Sequence, residues 1–434
     1  MSDIDADIGL AALPDSPAIA ILDERLSNRA AVDLARVARR LWPEPSRVEV
    51  ASRRTPLPSD RRPVRELAFV PNVREPRMLV PADLPRAASG AVRRFSAGLS
   101  RTEHLTRLAA GLALRLPGAG RLLADRLRIS SAGHCAENIE THLSELLGMP
   151  VLVSIGVGAL RANQKPVLQV FDRTGRTVAF VKVGDGPISR QLVEREARAL
   201  REVTSRCWQR LRTPTVVHDG GWRDLRLLVV SPVPAASRPR LGRPSGPPVA
   251  AMAELAAGFD SGVCPVADSP LFVRLRETVD TLTDGHHAEE LRLALEKIAN
   301  RCADVRLPLG GWHGDWTPWN MSVRGQQVGL WDWERFDTGV PVGFDLMHFL
   351  VQAAAQRHGI SAPVIERAVT LAGQRLGPDG DLIGTLYTAT IAARYLYAAQ
   401  AATGAPLREQ ARLMLRIAGR RAGSVEPDVQ GRCR

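Results

Sequence analysis

The segment His313-Gly314-Asp315-Trp316-Thr317-Pro318-Trp319-Asn320 places a carboxylate and an amide five positions apart, and a second carboxylate, Asp332, follows twelve residues later. The runs Asn320–Val323 and Val328–Trp333 flank Arg324-Gly325-Gln326-Gln327, a turn signal. A hairpin closed around Gly325 and Gln326 brings Asn320 almost opposite Asp332. An amide and a carboxylate side by side at the end of a hairpin can hold a Mg²⁺ ion that keeps waters and phosphate oxygens in its shell. Asp315, one tight loop upstream, is placed to accept a hydroxyl proton while the metal neutralises charge on a leaving nucleotide. Asp, Asn and Asp at this spacing suit metal-assisted phosphoryl transfer.

Such a constellation has to be held by regular elements. From Cys135 onward the sequence predicts a helix near Glu137–Leu147 and three β-rich runs, VLVSIGVG, PVLQVFD and TVAFVKVG. A helix follows, opening at Pro187, a residue suited to a first helical position. LRLLVVSPV reads as one more strand, and SRPRLGRPSGPP as a Pro/Gly linker. From about 250 to 420 the pattern is helical except for the hairpin around 320–333. The fold class expected is α+β: a small β-rich lobe over 135–233 and a helical lobe over 234–422, joined by a hinge. A small β-rich lobe hinged to a helical one is a known way to build a nucleotide cleft.

Ahead of these lobes, residues 1–20 read as a disordered tail and 21–134 as a basic accessory segment of mixed α/β character. A helix is expected from about Arg25 to Leu41, where Leu26, Ala30, Leu34, Val37 and Leu41 recur at helical spacing. LAFVPNV and RMLVPA suit a hairpin, residues 88–130 suit broken helices, and 423–434 read as a second tail.

The 434 residues are 45% hydrophobic and 24% charged, a globular composition that excludes collagen-like, mucin-like and mainly disordered chains. The formal net charge is +12, and residues 51–130 hold 16 Arg against six acids, so most of the excess sits outside the two lobes. A basic stretch can meet a membrane surface or an anionic glycan. Specific nucleic-acid binding is not expected, because only Phe69 and Phe95 interleave those arginines. The five cysteines contain no C-x-x-C pair, which favours neither a disulfide framework nor a zinc site. The acidic N-terminus is no signal peptide and no apolar run approaches the ~18 residues of a spanning helix, so a cytoplasmic location is expected. Only three of the 58 Lys and Arg residues are lysines: Lys165, Lys182 and Lys297. In so arginine-rich a chain, a retained lysine is a candidate for work that arginine cannot do.

The order H-G-D-x-x-x-x-N, then Asp332-Trp333-Glu334, then Gly343-Phe344-Asp345-Leu346 resembles the aminoglycoside phosphotransferase and choline kinase family, over about residues 135–420. The resemblance implies a protein-kinase-like bilobal fold. It implies Asp315 as catalytic base in a loop opened by His313, Asn320 and Asp332 as Mg²⁺ ligands, and Asp345 as the brace of that loop. ATP or GTP is the implied donor.

The small lobe should then supply a lysine that anchors phosphates and a glutamate on the following helix. Lys182 sits mid-strand among apolar residues and needs a partner. Glu194 has Arg190 and Arg198 four positions either side, on the solvated face. Glu196 has Leu192 and Leu200 at that spacing, so it faces the core and is the expected partner. Gly156 and Gly158, in Ile155-Gly156-Val157-Gly158, can let backbone amides approach phosphates, although the run is not a full G-x-G-x-x-G. Lys165 either reaches a phosphate or flanks a turn. LRLLVVS resembles the hinge that reads a base, with Val229, Val230 and Ser231 as its contacts.

Five of the eight tryptophans lie between 312 and 333. Indoles stack on sugars and cations, and alternation along the hairpin turns Trp331 and Trp333 into packing, leaving Trp316 and Trp319 as acceptor contacts. A polycationic acceptor would want an acidic pocket, yet Asp280, Asp284, Glu289 and Glu290 are interleaved with Arg and His. The function expected is a kinase of a small-molecule hydroxyl, on a sugar, aminosugar or glycosylated metabolite. The rival is a nucleotide-binding regulator or adaptor whose basic front segment docks a partner or membrane.

Overall fold

The computed structural model describes residues 29–52, 54–93, 101–116, 123, 125–133, 137–156, 165–233, 246–401 and 404–424. The expected tail at 1–20, all of the expected tail at 423–434 except Gly423 and Ser424, which are helical, and most of the Pro/Gly linker lie outside the described residues. The chain forms two units, one of residues 1–91, 113–157 and 171–176, the other of 92–112, 158–170 and 177–434.

In the first unit, helix α1 (Arg29–Leu41) precedes strands β1 (Arg47–Ser52), β2 (Arg62–Val70) and β3 (Met78–Pro81). Helix α2 (Pro85–Val92), strand β4 (Asp125–Ser131), helix α3 (Ile139–Leu147) and strand β5 (Val151–Gly156) follow. The strands lie in the order β1-β4-β2-β3-β5, all antiparallel. The expected hairpin is β2–β3, with Leu67 opposite Pro81. Part of the basic excess is structural: Arg128 is buried and reaches Glu66 at 2.9 Å, and Arg65 bridges Glu140 and Asp83 at 2.7 Å each. Where helices alone were expected, residues 88–130 also contain β4. Its alternating Arg and apolar residues suit a strand whose arginines are paired.

The second unit joins a β-rich part to a helical one. Strands β6 (Val167–Asp172) and β7 (Thr177–Gly184) are followed by helix α4 (Pro187–Thr204), then β8 (Leu211–Arg212), β9 (Val216–Trp222) and β10 (Leu225–Val230). The sheet order is β6-β7-β10-β9. Lys182 of β7 pairs with Leu228 of β10. Helix α4 starts at Pro187 as expected, and Ser189 Oγ accepts the Asp185 and Gly186 N–H groups at 2.9 Å to fix its entry.

The helical part comprises α5 (Val249–Gly258), β11 (Val263–Pro265), α6 (Pro270–Asp280), α7 (Gly285–Cys302), β12 (Arg306–Trp312), β13 (Met321–Arg324), β14 (Gln327–Leu330) and β15 (Asp337–Pro341). Helices α8 (Phe344–His358), α9 (Ala362–Leu376), α10 (Gly380–Ala399) and α11 (Arg408–Ser424) complete it. Strands β11-β12-β15 form a small sheet that the helical reading of this region did not contain. Its central strand, RLPLGGW, is rich in Pro and Gly and has no strand-like alternation. The glycines answer a packing demand: a Cβ on Gly310 would stand 2.5 Å from the Ala256 carbonyl oxygen. Phe272, Leu291, Phe344 and Tyr387 anchor one apolar core, and Val193, Leu200, Trp316, Trp333 and Phe349 anchor a second that α4 shares with the hairpin. No helix among the described residues is long and apolar enough to cross a membrane.

Candidate active site

Strand β12 ends at Trp312 and delivers His313, Gly314 and Asp315 into a tight loop. Gly314 has φ +78°, and a Cβ there would stand 2.1 Å from the Arg335 carbonyl oxygen, so both backbone and space demand glycine. Asp345, in the first turn of α8, braces the loop. Its carboxylate accepts the His313 N–H at 2.8 Å and the Gly314 N–H at 3.4 Å. Burial pushes the Asp345 carboxyl up to about 7 against the opposing pull of those two N–H groups. His313 is wholly buried, and burial pushes its imidazole down to about 4, so it is neutral near pH 7. Its Nδ1 accepts the Asp315 N–H at 3.3 Å, and its ring meets Trp333 edge-on with centroids 4.7 Å apart.

Asp315 has a side chain 31% exposed, open enough to meet a substrate. Asn320 Nδ2 donates to its Oδ2 at 2.9 Å and to its backbone carbonyl at 3.1 Å. The other carboxylate oxygen stands 3.1 Å from Nε2 of His348, whose Nδ1 stands 3.0 Å from the Tyr387 hydroxyl. A carboxylate oxygen accepts, so Nε2 is the donor to Asp315, and the Tyr387 hydroxyl meets the opposite ring nitrogen. Burial holds the Tyr387 phenol well above its ordinary value, which keeps its proton in place. Neither His348 nor Tyr387 was singled out in the sequence. The available signal was His348 three positions after Asp345, on the same helix face amid apolar residues.

The β13–β14 hairpin closes on Gly325-Gln326, with Arg324 opposite Gln327 and Met321 opposite Leu330. Trp331 N–H donates to the Asn320 carbonyl at 3.1 Å, so Asn320 faces Trp331 and Asp332 comes one residue later. Asp332 adopts a left-handed backbone, φ 76° and ψ 59°, an uncommon conformation for a side chain other than glycine, asparagine or aspartate.

A charge cluster fills the space between hairpin and small lobe. Lys182 Nζ lies 2.6 Å from Asp332 and 2.5 Å from Glu196. Glu196 is 1% exposed, Glu194 lies in solvent, and Glu196 also accepts the Trp333 N–H at 3.2 Å. Burial alone would lower the Lys182 ammonium, but Asp332 and Glu196 outweigh it and raise it. Burial likewise opposes ionisation of Asp332, and Lys182 and Lys165 overcome that, holding its carboxyl well below the usual range. Lys165 bonds to Glu334 and lies 3.7 Å from Glu196, and burial pushes it down to about 8. Glu196, Asp332 and Glu334 offer carboxylate oxygens within 4.8 Å of one another.

Other expected contacts fall elsewhere. Trp316 is fully buried in the core beside Trp333, so packing takes the indole offered above to an acceptor, whereas Trp319 is half-buried. Trp333 packs inward as expected and Trp331 is half-buried. Gly156 ends β5 in the first unit, opposite Met78, and Gly158 lies outside the described residues. Val229 is buried in β10, and the Ser231 N–H is engaged by the Thr215 carbonyl at 2.9 Å.

Residues 166–378 match the sequence profile of the phosphotransferase enzyme family. Among solved structures, the chain is similar to a thermostable mutant of aminoglycoside phosphotransferase APH(4)-Ia in ternary complex with ADP and hygromycin B: 15% identity, 66% of this chain and 98% of that one covered, TM-score 0.45. It is similar to a putative aminoglycoside phosphotransferase from Ralstonia eutropha JMP134, at 12% identity, 63% and 93% coverage and TM-score 0.40. It is also similar to the amicoumacin kinase hAmiN in complex with AMP-PNP, at 10% identity, 62% and 88% coverage and TM-score 0.39. No curated protein matches the chain in sequence.

Proposed function

Residues 166–378 belong to the phosphotransferase enzyme family, and from that premise we propose that the protein moves the γ-phosphate of ATP or GTP to a hydroxyl of a small molecule, a sugar derivative or similar metabolite. The observation that carries this reading is the Asp315 carboxylate, part-exposed and fixed from two sides by Asn320 and His348. In the proposed step the acceptor O–H gives its proton to Asp315 while its oxygen bonds to the γ-phosphorus. The bond from that phosphorus to the β,γ-bridging oxygen breaks, and the nucleoside diphosphate leaves with the electron pair.

Positioning does most of this work, because little covalent chemistry falls to the protein. Lys182, held by Glu196, orients phosphates. Asn320 spends its amide nitrogen on Asp315, which leaves its carbonyl oxygen as a cation ligand. The Asp332 carboxylate already sits against a cation, Lys182, within a carboxylate cluster. These donors fit Mg²⁺, which prefers carboxylate and carbonyl oxygens, with Asn320 and Asp332 as the residues that would hold it. When bound with the nucleotide, Mg²⁺ neutralises charge that builds on the phosphate oxygens.

The test is release of ADP or GDP across a panel of sugars, sugar acids and aminosugars with Mg²⁺. Acceptor-dependent release supports the transferase. Tight nucleotide binding with no transfer to any acceptor would favour a regulator or adaptor.

A further inference from the structure

Resting on the phosphotransferase reading, the surroundings of Asp315 speak to the charge of the acceptor. Gly314, the residue just before Asp315, is met from two elements by arginines. Arg335 lies against it, with its Cβ 2.8 Å from where a Cβ on Gly314 would stand. Arg394, from the C-terminal half of α10, donates from Nη1 to the Gly314 carbonyl at 2.7 Å, and its guanidinium lies 5.0 Å from the Trp312 ring centroid.

The carboxylates nearby are committed elsewhere. Asp345 takes the His313 and Gly314 N–H groups, Glu334 is bonded to Lys165, and Asp315 is held by Asn320 and His348. Among the described residues, Arg335 has only Glu334 in ion-pair range, at 3.7 Å, and Arg394 has no carboxylate partner. Burial lowers the Arg394 guanidinium to about 10, with the charge of Arg335 acting in the same direction and that of Asp315 opposing it, and burial lowers Arg335 against the pull of Asp315 and Asp332. Neither guanidinium has a carboxylate oxygen within hydrogen-bonding distance among the described residues, so in this half-buried wall an anion that joins them gains charge-assisted hydrogen bonds. The acids of α7 and its N-cap lie against their own neighbours, Asp284 beside His287, Glu289 beside Arg292 and Glu290 beside His286.

We propose that Arg335 and Arg394 form a subsite for an oxyanion beside Asp315, and that this oxyanion belongs to the acceptor, a hydroxyl compound carrying a carboxylate or phosphate and not a polyamine. The guanidinium fork matches planar carboxylate and phosphate oxygens in two parallel hydrogen bonds. A polyamine placed there would meet like charge.

The test is calorimetric titration of the full-length protein loaded with Mg²⁺ and AMP-PNP. The probes are gluconate and glycerate, their neutral counterparts glucose and glycerol, and the polyamine kanamycin. The expected result is anion binding about tenfold tighter than the neutral counterpart, the size of one charge-assisted hydrogen bond. In Arg335→Gln that preference should vanish with AMP-PNP affinity kept, and Arg335→Lys, which keeps the charge without the fork, should retain part of it. Tighter binding of kanamycin or of the neutral probes, or no anion preference in the wild type, overturns the proposal. Loss of AMP-PNP affinity in Arg335→Gln, with probe preference intact, overturns it by assigning the oxyanion to the nucleotide. Failure of the wild-type protein to bind AMP-PNP at all would instead sink the phosphotransferase reading beneath it.

Discussion

His348 Nε2 stands 3.1 Å from the Asp315 carboxylate, and the same imidazole is held from behind by Tyr387 at 3.0 Å. Asp315 is thus oriented by a buried relay as well as by Asn320. In His348→Gln the carboxylate loses its fixed direction while the nucleotide-side residues stay in place. Turnover should fall by about 10- to 100-fold, the scale of a misplaced catalytic group, with nucleotide KM unchanged. Steady-state kinetics with varied nucleotide checks this, and Tyr387→Phe should show a smaller loss of the same kind.

Lys182 bridges Asp332 and Glu196, so removing it takes from both buried carboxylates their nearest cation. Lys182→Met should cost stability on the order of 3 kcal/mol, the scale for a broken buried pair, and weaken nucleotide binding. Glu194→Gln, on the solvated face of the same helix, should stay within about 0.5 kcal/mol of the wild type. Urea denaturation with and without AMP-PNP reads both effects.

Gly314→Ala forces a side chain into a positive-φ position and against the Arg335 carbonyl oxygen. The left-handed conformation alone costs roughly 1–2 kcal/mol, and the backbone clash adds to it. The variant should melt well below the wild type and lose turnover out of proportion to its folded fraction, because the strain lies next to Asp315.

Asp345 sets a dependence on pH. Its folded value, about 7, lies above its ordinary 3.8, so the folded chain binds the proton more tightly than the unfolded chain. The stability it contributes is fully present below about pH 4 and is lost as pH rises through 7. Relative to wild type, Asp345→Asn, whose amide does not titrate, should therefore gain stability between pH 5 and pH 8.5 by on the order of 2 kcal/mol. Urea melts of both proteins at the two pH values measure the difference.

The residues that meet through local pattern were legible in the sequence. The Gly325-Gln326 turn sets which residues of the hairpin face each other, and helical spacing alone separates Glu196 from Glu194. Contacts made across distant elements left no such trace. His348 sits in an apolar run and reads as core until Asp315 is placed beside it. Arg394 is one arginine among dozens until α10 brings it to the Gly314 carbonyl. Trp316 looks like a substrate platform because its burial depends on α4, more than a hundred positions upstream. Strand β12 was missed because its glycines serve close backbone packing, which strips away the alternation that marks a strand.

The claim at the centre is that Asp315 takes the acceptor's proton, and Asp315→Asn tests it most directly. The amide keeps the size of the side chain but cannot accept that proton. Measured side by side, AMP-PNP affinity should match the wild type while acceptor-dependent release of nucleoside diphosphate falls by about 100-fold or more, the range of general-base catalysis. Turnover equal to the wild type in Asp315→Asn would contradict the account.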